Sequence, residues 1–135
     1  MKWYIEDFSL RKADGTDIHG RDKAISAAIE LFAPFTAHYH EPVFTVVTET
    51  DDGWEMLGQS NVFFNLPGNP APGEKKVSDA SGKQWDVSVL SAFHCLYVNA
   101  DGGILLKRIE IMSDSSPPKE MMIKRGLIDP KELGH

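Results

Sequence analysis

An α+β fold, with a curved antiparallel sheet wrapped onto one helix, is predicted by three observations. Only one segment shows strong helical spacing: Ile25, Ala28, Ile29 and Phe32 recur on one side while Lys23, Ser26 and Glu30 fall opposite. Four long runs rich in β-branched and aromatic residues follow it, over 36–50, 54–66, 85–99 and 104–113. Two of the joins, Asp51-Asp52-Gly53 and Asp101-Gly102-Gly103, are hairpin signals, so the runs they connect pair antiparallel. One helix beside consecutive strands is an α+β order. A twisted sheet folded over a helix leaves a conical pocket between them, a usual place for a small ligand.

In chain order, residues 3–11 (WYIEDFSLR) have strand composition, and Asp14-Gly15 turns them back into a short run at Thr16-Asp17-Ile18. Gly20 can act as a helix N-cap, with Asp22 favourable against the helix dipole. Pro34, which lacks a backbone donor, ends or kinks that helix near Ala33. Pro42 marks the first half of the 36–50 strand as an edge or a bulge. Residues 67–84 (PGNPAPGEKKVSDASGKQ) are expected to form a loop, either a lid or an excursion. After the last hairpin, Ser115-Ser116-Pro117-Pro118 starts a short helix that runs through Arg125 and stops at Gly126. Asp129-Pro130-Lys131-Glu132 is a further helix start. The reading is one domain over 1–135, without internal repeat.

The totals exclude several classes of function. A formal net charge of −6, with basic residues only in isolated pairs such as Lys75-Lys76 and Lys107-Arg108, speaks against nucleic acid or an anionic membrane as partner. No apolar run approaches the ~18 residues that span a bilayer. Acidic residues interrupt MKWYIEDFSL, so no signal peptide is read there. Cys95, the single cysteine, excludes an intrachain disulfide and suits a reducing compartment, with a cytoplasmic location as the expectation.

The candidate chemistry lies on two strands. Parity puts Arg108, Glu110, Met112 and Asp114 on one face of the last strand, and Leu105, Ile109 and Ile111 on the other. Charges in water over packed aliphatics would be ordinary alternation. The expectation adopted is the reverse, with the carboxylates lining the pocket and Ile109 and Ile111 on the outer sheet face, available for a homodimer. A carboxylate in an apolar pocket is raised in pKa and can act as acid or base near neutrality. If Arg108 holds Glu110 ionised, Asp114 is left as the chemical group. His38 and His40 share a face two residues apart and suit proton transfer; a third metal ligand is not evident, so no metal is expected. His94 reads as a packed sheet histidine, and Phe35, Trp54, Phe64, Trp85 and Tyr97 as core or pocket wall. Cys95 reads as a small buried hydrophobe.

Three pieces together resemble the SnoaL-like group of the nuclear transport factor two-like superfamily. They are GTDIHGRDKAISAAIELFAPF leading into the helix, AHYHEP opening the next strand, and GGILLKRIEIMSDSSPPKEMMIKRG closing the sheet. A Trp-Glu-Met strand after Asp-Gly, and a Trp-Asp before the last hairpin, are similar to uncharacterised fungal members. The resemblance implies a cone-shaped α+β barrel, commonly dimeric through the open sheet face, and cofactor-free acid–base chemistry on a small apolar molecule, as in polyketide cyclases, isomerases and dehydratases. It puts Asp114 at the base position of the closing strand and His40 at the pocket histidine. It also implies two helices ahead of the first strand, and none is read here, where the sequence is strand-like from just after Met1. Two functions follow as expectations. One is a cofactor-independent isomerase, cyclase or dehydratase in which Asp114 is the base, His40 or His38 relays a proton, Glu110 and Arg108 orient them, and Phe35, Trp54, Phe64, Trp85, His94, Tyr97 and Met112 hold substrate. The other is a non-catalytic ligand-binding or dimerising domain with the same pocket. Asp114 and the histidines facing one cavity would favour the first; facing different sides would favour the second.

Overall fold

The computed structural model describes residues 3–133. Its strands are β1 (Tyr4–Arg11), β2 (Asp17–His19), β3 (Ala37–Glu49), β4 (Gly53–Asn65), β5 (Val77–Ser78), β6 (Gln84–Trp85), β7 (Val87–Ala100) and β8 (Gly103–Ser113). Helix α1 (Arg21–Glu30) precedes β3, α2 (Ser116–Lys124) follows β8, and a 3-10 turn covers Pro130–Leu133. Six strands form one open, curved sheet in the order β2-β1-β8-β7-β4-β3. The α+β class holds. The sheet is mixed, because β1 joins β8 in parallel while its other neighbours run antiparallel.

One face of the sheet is apolar at both ends. Phe8, Leu10 and Ala24 form a core under α1, against which Leu106, Ile109 and Ile111 pack. Val62, Phe64, Leu66, Val87, Val89 and Met122 form a second core under α2, with Phe32, Phe35, Met121 and Ile128 against it. The α1 stripe therefore runs through Ala24, with Ile25, Ala27 and Ala28 beside it. Ile29, expected in that stripe, is 67% exposed. Close approach between strands is set by Gly58, where a Cβ would lie 2.7 Å from the Phe93 ring and 2.6 Å from the Phe44 carbonyl.

The orientation of β8 reverses the sequence expectation. Ile109 and Ile111 face the helix, and Arg108, Glu110 and Met112 face the open side. Energetics decide this. Burying an isoleucine gains about 2 kcal/mol, whereas an incompletely paired buried charge costs several kcal/mol. A register shift between Leu96 and Tyr97 then adds one residue on β8, at Lys107, and brings Leu106 onto the same inner face as Ile109. Parity counted through Lys107 without that bulge assigns Leu105 in its place.

Residues 67–84 are not a free lid. They carry the β5–β6 hairpin, and two polar hubs fasten them. Asp79 accepts hydrogen bonds from Ser81, from the Lys83 N–H and from Trp85 Nε1. Arg125, whose side chain is 1% exposed, pairs with Glu74 and lies 3.3 Å from Asp86. Asp86 also takes the Leu66 N–H at 2.8 Å and pairs with Lys76. Arg125 donates further to the carbonyls of Leu66 and Pro67. No helix among the described residues is long and apolar enough to cross a membrane.

Candidate functional site

Where β3 begins, beside the second core, His38 and His40 are exposed on the inner face. Residues 31–36 leave α1 through tight turns, with Phe32 N–H bonded to Ile29 O, Ala33 N–H to Glu30 O and Phe35 N–H to Phe32 O. This brings Phe32 and Phe35 back over the sheet. The His38 ring stacks on Phe32 with centroids 4.2 Å apart, and His40 meets both rings edge-on, 5.6 Å from Phe32 and 5.7 Å from His38. Phe35 stacks on Phe64 at 4.0 Å. Register explains the grouping: His38 pairs with Phe64 and His40 with Val62, so their side chains share one face.

Neither imidazole has a hydrogen-bond partner among the described residues, and both keep solvent contact. The His40 pKa is lowered, first by partial desolvation among these rings and then by the neighbouring His38. His40 is therefore neutral at pH 7, able to accept a proton or a hydrogen bond. Beside the same strand lies an open groove of about 330 Å³ lined by His38, Tyr39, Asp79, Ser81, Lys83 and Trp85. A second depression, about 410 Å³, lies at the start of α1, lined by Glu6 and residues 19–23.

The other expected site residues are scattered. Asp114 is exposed, and its carboxylate accepts the Ser116 N–H at 2.9 Å at the start of α2. The Ser116 hydroxyl, and then its backbone N–H, lower the Asp114 pKa, which favours the anion and weakens it as a base. Glu110 lies on the outer face opposite His94 and 3.9 Å from Arg108. Arg108 is held by Ser9 at 3.0 Å and Asp17 at 2.8 Å. His94 bonds Glu55 at 2.6 Å, also on the outer face, where Met112 is exposed. Glu110 therefore faces away from His38 and His40, and among the described residues no hydrogen bond or ion pair joins Asp114 to either histidine. Glu110 sits on the outer side because the strand turns its isoleucines inward, and Asp114 lies just past the strand's end.

Trp54 and Tyr97 pair across β4 and β7 on the inner face, but at the far end. Trp54 and Phe64 are ten positions apart on one strand, roughly 33 Å, too far to line one small pocket. Trp85 is 3% exposed and packs against Tyr39 and Phe63, with Lys83 above its ring. Of the expected set, His38, His40, Phe35 and Phe64 are brought together. Phe32, read from the sequence as the end of the helical stripe and not as a site residue, lies just past the helix end and completes the cluster. Among the described residues no group of three or more His, Cys, Asp or Glu side chains is placed to hold a metal ion.

No protein-family model matches the sequence, and no curated protein matches it significantly. Solved structures do match in shape. A hexachlorocyclohexane dehydrochlorinase, LinA type 2, superposes with a TM-score of 0.61 at 11% identity, covering 84% of this chain and 68% of that one. Aln2 from a Streptomyces species gives a TM-score of 0.57 at 17% identity, covering 87% and 76%. An NTF-2-like protein of unknown function from Pseudomonas aeruginosa gives 0.53 at 13% identity, covering 83% and 74%. With a curved mixed sheet, a helix across each apolar end and these shape matches, the chain has the nuclear transport factor two-like α+β fold.

Proposed function

We propose that the chain binds a small apolar molecule on its inner sheet face, against Phe32, Phe35, His38, His40 and Phe64, without acid–base catalysis by an Asp114–His40 pair. The observation that carries this reading is the separation of the groups. The histidines and aromatic rings converge on the inner face, whereas Glu110 lies on the outer face beside Arg108 and the Asp114 carboxylate is engaged by Ser116. Aromatic walls with a few convergent polar atoms are what small-molecule sites offer. That LinA, a hexachlorocyclohexane dehydrochlorinase, shares the fold supports a small apolar ligand class. A cofactor-free isomerase, dehydratase or cyclase is the second reading. It is favoured by one observation, the lowered His40 pKa, which makes that imidazole a free base at neutral pH. Within the fold, the order of the three sequence pieces supports the SnoaL-like group.

The outer face supplies the second half of the proposal, a homodimer. Phe44, Val46, Leu57, Leu90 and Met112 are all exposed there, and such a patch on a monomer marks an interaction surface. The test of binding is native mass spectrometry of the purified protein together with titration of 1-anilinonaphthalene-8-sulfonate. The expected result is saturable fluorescence enhancement that weakens about tenfold in a Phe32→Ala, His40→Ala double variant, a loss of about 1.4 kcal/mol. Enhancement unchanged in that variant sinks the inner-face site.

A further inference from the structure

We infer that the second half of β3 is a self-association edge, at which two copies join antiparallel into one continuous sheet. Among the described residues, β3 is the last strand of its sheet, so one side of its backbone has no strand partner there. Its two halves differ. Along the first, the Ala80 N–H reaches Glu41 Oε2 at 3.1 Å, Tyr39 stacks with Trp85, and Pro42 with the adjoining register shift ends that protection. Along the second, every residue from Pro42 to Glu49 is exposed, including Val43, Phe44, Val46 and Val47. Past the register shift at Val43, Phe44-Thr45-Val46-Val47-Thr48 holds no bulge, charge, proline or glycine, devices that usually blunt an edge.

The polarity of the backbone says what covers it. The Thr50 N–H bonds the Gly53 carbonyl at 2.9 Å and closes the β3–β4 turn. Antiparallel pairs alternate between bonded and non-bonded, so Thr48 and Val46 spend their bonds on β4. Glu49, Val47 and Thr45 turn theirs outward. Only an extended strand satisfies such a row.

A second copy fits it by symmetry. With Val47 opposite Val47, Val46 meets Thr48 and Thr45 meets Glu49. No acid faces an acid along the pairing, and about six main-chain hydrogen bonds form. The aliphatic side chains on both faces gain cross-strand neighbours. The main-chain edge is distinct from the outer sheet face, whose side chains come from β3, β4, β7 and β8 and include Phe44 and Val46.

The test is amide hydrogen exchange on the full chain at low-micromolar and at millimolar concentration, with mass by sedimentation. The expected result is that Thr45, Val47 and Glu49 amides slow about tenfold at high concentration, in step with doubling of the mass. Val47→Pro removes one outward N–H and spares the β4 ladder, and it restores fast exchange. Val47→Lys does so through charge and serves if the proline variant fails to fold. Leu90→Glu, on the outer face, leaves the edge protection in place. Edge amides that exchange equally at both concentrations, or protection that survives Val47→Lys, overturn the inference.

Discussion

The chain holds two polar clusters that differ in one respect. Around Arg125, every charge is spent on another part of the protein: Glu74, Asp86 and backbone carbonyls take the guanidinium, and Lys76 takes what Asp86 has left. Around His38 and His40, aromatic rings crowd the imidazoles but no protein group among the described residues bonds them. Buried charges that are fully satisfied hold a loop in place, whereas polar groups left unsatisfied at an apolar mouth are free to meet a ligand. A knot and a site can thus be told apart by where their hydrogen bonds end.

The largest expected effect breaks the knot. Arg125→Met leaves Glu74 and Asp86 short of their cation, at a cost of about 3 kcal/mol, read by urea unfolding, with faster proteolysis within 67–84. A loss below about 1 kcal/mol would mean that the hairpin is anchored by Asp79 and Trp85 alone. The knot also carries a pH signature. The Glu74 pKa is lowered by the hydrogen bond from Arg125. Burial raises that of Asp86, but Lys76, the Leu66 N–H and Arg125 more than offset it. Groups lowered in the folded state contribute fully above the ordinary carboxylate range, and that contribution is lost as pH falls through their folded values. The acid side of the stability profile of Arg125→Met should therefore be flatter than that of the parent.

The next effect tests which face is buried. Ile109→Ala should cost about 2 kcal/mol by leaving a gap under α1, and Glu110→Ala, on the open side, within about 0.5 kcal/mol. Equal costs would contradict the orientation of β8. Asp114→Asn should be smaller still, changing the start of α2 and leaving dye binding unaltered; lost binding would return that carboxylate to the site. The smallest effect is the His40 titration. Its imidazole should protonate below the ordinary histidine range by NMR, and His38→Gln should raise it slightly by removing the second cause.

These comparisons also mark what the sequence could say. The order of elements, both long hairpins and both helices were legible, because Asp-Gly turns, β-branched runs and one helical stripe are local signals. The side of β8 that enters the core was not, since alternation is the same whichever face turns inward. The extra residue at Lys107 reset the count as well. The loop anchor was hidden because Arg125 meets Glu74 from 51 positions away, and only folding shows that the pair exists. His38 and His40 were found by parity within one strand, where no long-range information is needed. Phe32 joins them only through the tight turns after α1.

NMR mapping of 1-anilinonaphthalene-8-sulfonate onto the assigned chain decides whether the inner face is the binding face. Saturable shifts are expected at Phe32, Phe35, His38, His40 and Phe64, with Glu110 and Asp114 unmoved. Shifts confined to Leu57, Leu90 and Met112 would place the ligand on the outer face and contradict the inner-face site.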